Sequence, residues 1–215
     1  TPKVEKMSKS LLNVVNPDDV SNQYGADTLR LYEMFLGPLE DSKPWSTKGI
    51  DGTYRFLKKL WALHFDQDGN QLWNDAEPSK DSLKTLHATI KKITEDINNM
   101  SLNTSVAQFM ICINELGSQK CTSKSVLEQV LVLLNPFAPH ITEELWNAMG
   151  NDGFIADATW PEFDEKHLVE SSKVYPISIN GKTRTNLEFP LDMSKDEIEK
   201  QVLANEVVQK WLDGN

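Results

Sequence analysis

The stretch that decides the fold is Leu83-Lys84-Thr85-Leu86-His87-Ala88-Thr89-Ile90-Lys91-Lys92-Ile93-Thr94-Glu95-Asp96-Ile97-Asn98-Asn99-Met100. Leu83, Leu86, His87, Ile90, Ile93, Ile97 and Met100 recur at intervals of three and four, which places them on one face of a helix. A helix with one apolar stripe needs partners to cover it, and the flanking sequence supplies them. From Gly52 a first helix carries Phe56, Leu57, Leu60, Trp61 and His64 on one side and Arg55, Lys58 and Lys59 on the other. A third, with Val106, Phe109, Met110, Ile113 and Leu116, ends at Gly117, and a fourth carries Val126, Leu127, Val130, Leu131 and Leu134. Pro136 breaks the fourth, and Pro139 opens a fifth with Ile141, Leu145 and Trp146, because proline lacks the N–H that a helix interior needs. Residues 52–150 therefore read as an antiparallel helical bundle, with short connections except the polar stretch from Asp66 to Asp81.

Outside the bundle the period changes. Residues 174–179 and 183–189 alternate, and Asn180-Gly181 between them is a strong hairpin signal. Ser194 with Glu197 makes a capping box for a helix holding Ile198 and Val202, and a last helix runs from Glu206 to Asp213 and closes on Gly214. Upstream, Asn16 caps a short helix opened by Pro17 and stopped by Gly25. Asp27 is expected to cap the next one, in which Leu29, Tyr32, Phe35 and Leu36 share a face. The fold class is mainly α with a small α+β part. Its divisions are residues 1–51, the bundle 52–150, a linker 151–172 strapped onto the bundle, and a hairpin-plus-helices domain 173–215.

Composition narrows the function. The chain has 215 residues, 39% of them hydrophobic, which is enough for a real core. No run of eighteen apolar residues exists and Thr1–Glu5 has no apolar leader segment, so a cytoplasmic protein without membrane contact is expected. Cys112 and Cys121 belong to no CxxC or His cluster, so no metal site is expected. The net charge of −10 is spread unevenly: residues 1–60 hold nine Lys or Arg against eight Asp or Glu, and the rest is acidic. Contact with RNA must then come from local basic faces.

Lys6-Met7-Ser8-Lys9-Ser10 puts two ammonium groups three positions apart among small hydroxyl residues, a loop able to wrap a polyphosphate. Alone, such a stretch reads first as a solvated basic turn near a chain end. Its context includes Asn13-Val14-Val15-Asn16-Pro17-Asp18-Asp19, Tyr24-Gly25-Ala26-Asp27-Thr28-Leu29-Arg30 and Gly37-Pro38-Leu39-Glu40. Together these stretches resemble the signature-loop end of the catalytic core of class I aminoacyl-tRNA synthetases. Pro44-Trp45, Gly49-Ile50, Arg55-Phe56-Leu57, Asn135-Pro136-Phe137-Ala138-Pro139-His140 and Asn180-Gly181-Lys182-Thr183-Arg184 make the resemblance strongest to the bacterial leucyl-tRNA synthetase family, over nearly the whole chain. That family carries a glycine where this chain has Leu12, so a stiffer loop is expected here.

The resemblance implies a C-terminal part of a ligase that uses ATP and Mg2+ to join leucine to tRNA(Leu), acting as a monomer. It implies that Lys9 meets charge developing on the phosphates, with Lys6, Met7, Ser8 and Ser10 shaping the ATP loop. It also implies that the bundle is of the anticodon-binding kind, docks on tRNA, and is followed by a truncated domain. Neither an HxGH motif nor a parallel nucleotide-binding sheet is legible, so these 215 residues are expected to be inactive alone. Arg55, Lys58 and Lys59 fit either tRNA phosphates or a solvated face. Lys182 and Arg184 fit the same two readings, on a hairpin face opposite Thr183, Thr185, Leu187 and Phe189. Trp61, Trp146 and Phe109 read as core, Arg30 as an ion-pair partner of Asp27, and His140 as a hydrogen-bonded structural residue. A non-catalytic helical module binding RNA or protein is the rival reading.

Overall fold

The computed structural model describes residues 5–46, 49–168, 172–190 and 193–212. Two compact units divide the chain, residues 1–165 and 166–215. In the first unit a 3-10 turn, Lys9–Leu11, is followed by α1 (Pro17–Tyr24), α2 (Ala26–Phe35), α3 (Ile50–His64), α4 (Lys80–Asn98), α5 (Leu102–Ser118), α6 (Lys124–Leu134) and α7 (Pro139–Ala148). The periodic stripe of α4 behaves as its spacing predicts up to Ile97, but Met100 does not belong to it: the helix ends at Asn98, and Met100 takes a left-handed φ of 55° and is exposed. Leu86, Ile90 and Ile93 are completely buried, each worth roughly 1.5–3 kcal/mol of apolar transfer. They join Leu60, Val106, Phe109, Leu116, Leu127, Leu131 and Leu134 in one core, where Phe109 and Phe137 meet edge to face at 5.2 Å.

A polar seam also joins α4 to α5. Thr85 donates to Glu115 at 2.9 Å, Gln119 donates to Thr85 at 3.0 Å, and Gln108 donates to Thr89 at 3.1 Å. The connection after α3 is tighter than its composition suggests. Asp66 accepts from the backbone of Asp68 and Asn70, Trp73 is buried against Phe65, and Asn74 exchanges backbone hydrogen bonds with Thr122 and Lys124. Residues 151–165 strap the bundle: Ile155 is buried, and Trp160 donates to Thr94 at 3.0 Å.

Two helix details differ from the sequence reading. α3 begins at Ile50, two residues before Gly52, and the Gly49 that precedes it lets Tyr32 come close. A Cβ at Gly49 would lie 2.7 Å from the Tyr32 hydroxyl, which donates to Ser46 O. Phe35 of α2 is 39% exposed and does not share the buried face. Leu31 and Tyr32 carry that burial, Leu31 in the bundle core and Tyr32 with Val20 and Ile50 in a second cluster.

The second unit holds an antiparallel hairpin, β1 (Ser172–Ile179) and β2 (Lys182–Pro190), followed by α8 (Lys195–Ala204) and α9 (Glu206–Leu212). Asn180 and Gly181 both have positive φ, 53° and 75°, the geometry a two-residue turn requires of an Asn-Gly pair. The Ser194–Glu197 capping box is present on α8. The expected stop at Asp213 and Gly214 lies outside the described residues. Strict alternation fails in β2, because Ile177 faces Thr185 while Ser178 faces Thr183, leaving Arg184 as the extra residue of a bulge.

Candidate functional site

The signature loop is built from its own backbone and one asparagine. Ser8 N–H donates to Asn13 Oδ1 at 2.8 Å, and Asn13 Nδ2 donates to Lys6 O at 3.3 Å, so Asn13 staples the ends of the loop together. Leu11 and Leu12 N–H donate back to Ser8 O and Lys9 O, and the Ser8 and Ser10 hydroxyls lie 2.8 Å apart. Lys6, Lys9 and Ser10 are exposed, and Ser8 is half-buried. Leu12 has φ 52° and is 93% exposed, so the position does take the left-handed backbone that glycine favours, here at a cost of roughly 1 kcal/mol. Met7 turns the other way and lines a cavity of about 650 Å3 with Val15, Val20, Leu29, Leu36 and Trp45.

The loop leads into α1 and α2, and α2 grips the bundle through two residues whose partners the sequence did not reveal. Asp27 caps no helix of its own neighbourhood: α2 has no side-chain cap. Its buried carboxylate instead accepts from Ile141 N at 2.7 Å, from His140 N at 3.3 Å and from His140 Nδ1 at 2.7 Å, which caps the start of α7. Arg30 makes no ion pair with Asp27. Its Nη2 donates to Pro136 O at 2.8 Å and its Nε to Phe137 O at 3.3 Å, in the turn beyond α6. Each charge thus sits where the helix dipoles favour it, the anion at the start of α7 and the cation past the end of α6. His140 has the structural, hydrogen-bonded role the sequence suggests.

The three basic residues of α3 are all exposed. Lys59 donates to Asn114 of α5 at 2.7 Å, Lys58 Nζ stands 4.4 Å from the Tyr54 ring centroid, and Arg55 faces solvent. Trp61 departs from the core assignment. It is 42% exposed and stacks on Phe65 at 4.9 Å, because it lies about 100° around the helix from fully buried Leu60. Phe109 is buried and Trp146 packs against the core, as expected. In the second unit Lys182 is exposed, whereas the Arg184 guanidinium lies 3.6 Å from the Trp211 ring centroid with its Nε buried and without a hydrogen bond.

No other group in the described residues offers a reactive centre. His64 donates from Nδ1 to Leu60 O at 2.9 Å, and burial pushes its pKa down. Burial pushes the Cys112 thiol up to about 12, which leaves it inert at neutral pH. Among the described residues no group of three or more His, Cys, Asp or Glu could hold a metal ion, and no helix is long and apolar enough to cross a membrane.

Residues 79–200 match the family described as the anticodon-binding domain of tRNA ligases, and residues 3–43 match the class I tRNA synthetases for isoleucine, leucine, methionine and valine. The chain belongs to the anticodon-binding domain family of tRNA ligases. Helices α4 to α7, the hairpin and the start of α8 lie within the first match, and the loop, α1 and α2 lie within the second. Among curated relatives the chain is similar to the leucine–tRNA ligases of Cytophaga hutchinsonii, 59% identical over 98% of the chain, and of Christiangramia forsetii, 60% identical over 98%. It spans only 23% and 22% of their lengths. A solved LeuRS–tRNA–LeuAMS ternary complex from Agrobacterium radiobacter matches 97% of the chain and 29% of its own, with TM-score 0.68 and 28% identity. The resemblance to leucyl-tRNA synthetases read from the motifs is borne out.

Proposed function

We propose that this chain is a C-terminal part of a leucyl-tRNA synthetase, which joins leucine to tRNA(Leu) at the expense of ATP in the cytoplasm as a monomer. The observation that carries the reading is the 59–60% identity to leucine–tRNA ligases across 98% of the chain, signature loop included. In leucine activation the leucine carboxylate attacks the α-phosphorus of ATP and pyrophosphate leaves. Negative charge grows on the phosphate oxygens, and an exposed ammonium already placed beside them lowers the barrier. Lys9 has that role in this proposal, because Asn13 and the Ser8–Ser10 pair hold the loop while leaving the ammonium in water. Lys6, Met7, Ser8 and Ser10 shape the ATP loop. The magnesium of the reaction finds no ligand cluster among the described residues.

Arg55, Lys58 and Lys59 on α3 and Lys182 on the hairpin are the phosphate contacts of the docked tRNA. Arg184 serves the hairpin instead, since its guanidinium is stacked on Trp211. These 215 residues alone have only a two-stranded antiparallel sheet among the described residues, and are inactive by themselves in this reading.

In the full-length enzyme, Lys9→Ala should lower kcat of leucine-dependent pyrophosphate exchange about 100- to 1000-fold, with leucine affinity little changed. Normal exchange kinetics would remove Lys9 from the chemistry. Exchange that follows another amino acid and not leucine would overturn the ligase reading itself.

A further inference from the structure

Where α2, α3 and α7 meet, the chain gathers aromatic rings around an open cavity of about 550 Å3. Tyr24 and Tyr54 meet edge to face at 5.8 Å, and Lys58 Nζ stands over the Tyr54 ring. Trp61 forms another wall. Its ring lies against Phe65 with 27° between the planes, while 42% of the residue remains exposed. His140 and Glu144, both exposed, complete the lining on the α7 side.

We propose that this cavity receives one unpaired nucleobase of the RNA partner, stacked on Trp61 with its phosphate toward Lys58. A ring braced by a second ring is a flat platform already in place, so stacking on it forfeits little side-chain freedom. Any base offers a π-face to such a platform, and stacking of this kind is tolerant of sequence. Lys58 is the lysine of the lining, and the Asp27 carboxylate that also lines it is already taken up by the start of α7. Arg55 and Lys59 lie outside the cavity on the same acid-free stretch, residues 52–65, in a chain whose net charge is −10. The Glu144 carboxylate is an acceptor of the kind that meets the amino edge of a base. An apolar protein surface seated here would strand Lys58, Glu144 and His140, the last with a side chain 72% exposed, away from water. The inference rests on reading the bundle as a tRNA-docking module and adds to it a site that holds a base rather than a backbone.

The test uses the full-length enzyme and tRNA(Leu) transcript. Trp61→Ala should weaken tRNA affinity about 10- to 100-fold, while Trp61→Phe, which keeps a ring, should stay within about threefold of the parent. In the unaltered enzyme, tRNA should shield the Trp61 indole from oxidation by N-bromosuccinimide, followed by peptide mapping. That readout does not depend on any variant folding. Unchanged affinity in Trp61→Ala, or equal losses in the Ala and Phe variants, would overturn the site. So would a Trp61 already shielded before tRNA is added, which would mean that protein covers it. Leucine-dependent exchange by the unaltered enzyme tests the ligase reading separately, so failure of one is not failure of the other.

Discussion

In the bundle, Phe109, Leu116, Leu127 and Leu131 lose all contact with solvent, whereas no residue from Glu5 to Val14 is buried. The bundle is held by apolar burial and offers little chemistry: burial leaves the Cys112 thiol inert and holds the His64 imidazole in its neutral form. The loop reverses this, with two exposed ammonium groups and a few short-range hydrogen bonds closed by Asn13. In the function proposed above, Lys9 meets a charge that appears only during reaction; its ammonium is kept hydrated, and rigidity is supplied at a distance. The link between the two regimes is α2, which buries Leu31 in the bundle core and anchors Asp27 and Arg30 on the ends of two other helices.

That contrast can be broken most forcefully in the bundle. Phe109→Ala should cost about 3–5 kcal/mol in urea unfolding of the 215-residue chain, since the cavity opens beside Phe137 where nothing can collapse into it. A cost below 1 kcal/mol would mean that the bundle is not held by its core. Asp27→Ala should cost less, about 1–3 kcal/mol, by stripping the cap of α7 and leaving the donors of His140 and Ile141 unmet. Amide exchange should then rise at the start of α7 before it rises in α4. Uniform exchange would show that the clamp is not local.

His64 sharpens the comparison through pH. Its pKa is lowered on folding, so the unfolded chain binds a proton that the folded one refuses. Its contribution to stability is complete above the ordinary histidine value near 6.5 and is lost as pH falls toward the depressed folded value, by at most about 1.4 kcal/mol per pH unit. His64→Leu should flatten the slope of stability against pH in that window. An unchanged slope would assign it to other groups. The smallest effect belongs to the loop. Leu12→Gly relieves roughly 1 kcal/mol of left-handed strain but frees the unfolded chain by a comparable 0.4–1 kcal/mol. Global stability should therefore move by less than about 0.5 kcal/mol, while exchange of the Leu11 amide quickens.

The helices were legible wherever three-and-four spacing ran on, because burial imposes that spacing directly. The hairpin was legible because Asn180 and Gly181 tolerate positive φ. Asp27 and Arg30 were misread for a physical reason. A carboxylate and a guanidinium one turn apart on a helix suit each other locally, and nothing in the local sequence says that helix ends more than a hundred residues away suit them better. Trp61 was misplaced because an apolar stripe has an edge, and the position next to fully buried Leu60 lies on it. Trp73 was missed inside a polar stretch whose backbone is fixed by Asn74 and its partners. Arg184 was assigned to a face by strict alternation, which a one-residue bulge overrides.

The grip of Asp27 has a consequence for the order in which the molecule comes into being. Its partners lie 113 and 114 residues further along the chain. At a synthesis rate of about 5–20 residues per second, the α1–α2 segment waits roughly 5–20 seconds before those partners exist. During that interval Leu31 has no bundle core to enter and the signature loop has no anchor. The loop is translated ahead of the residues that anchor α2, and it waits until the start of α7 emerges and closes on a carboxylate already made.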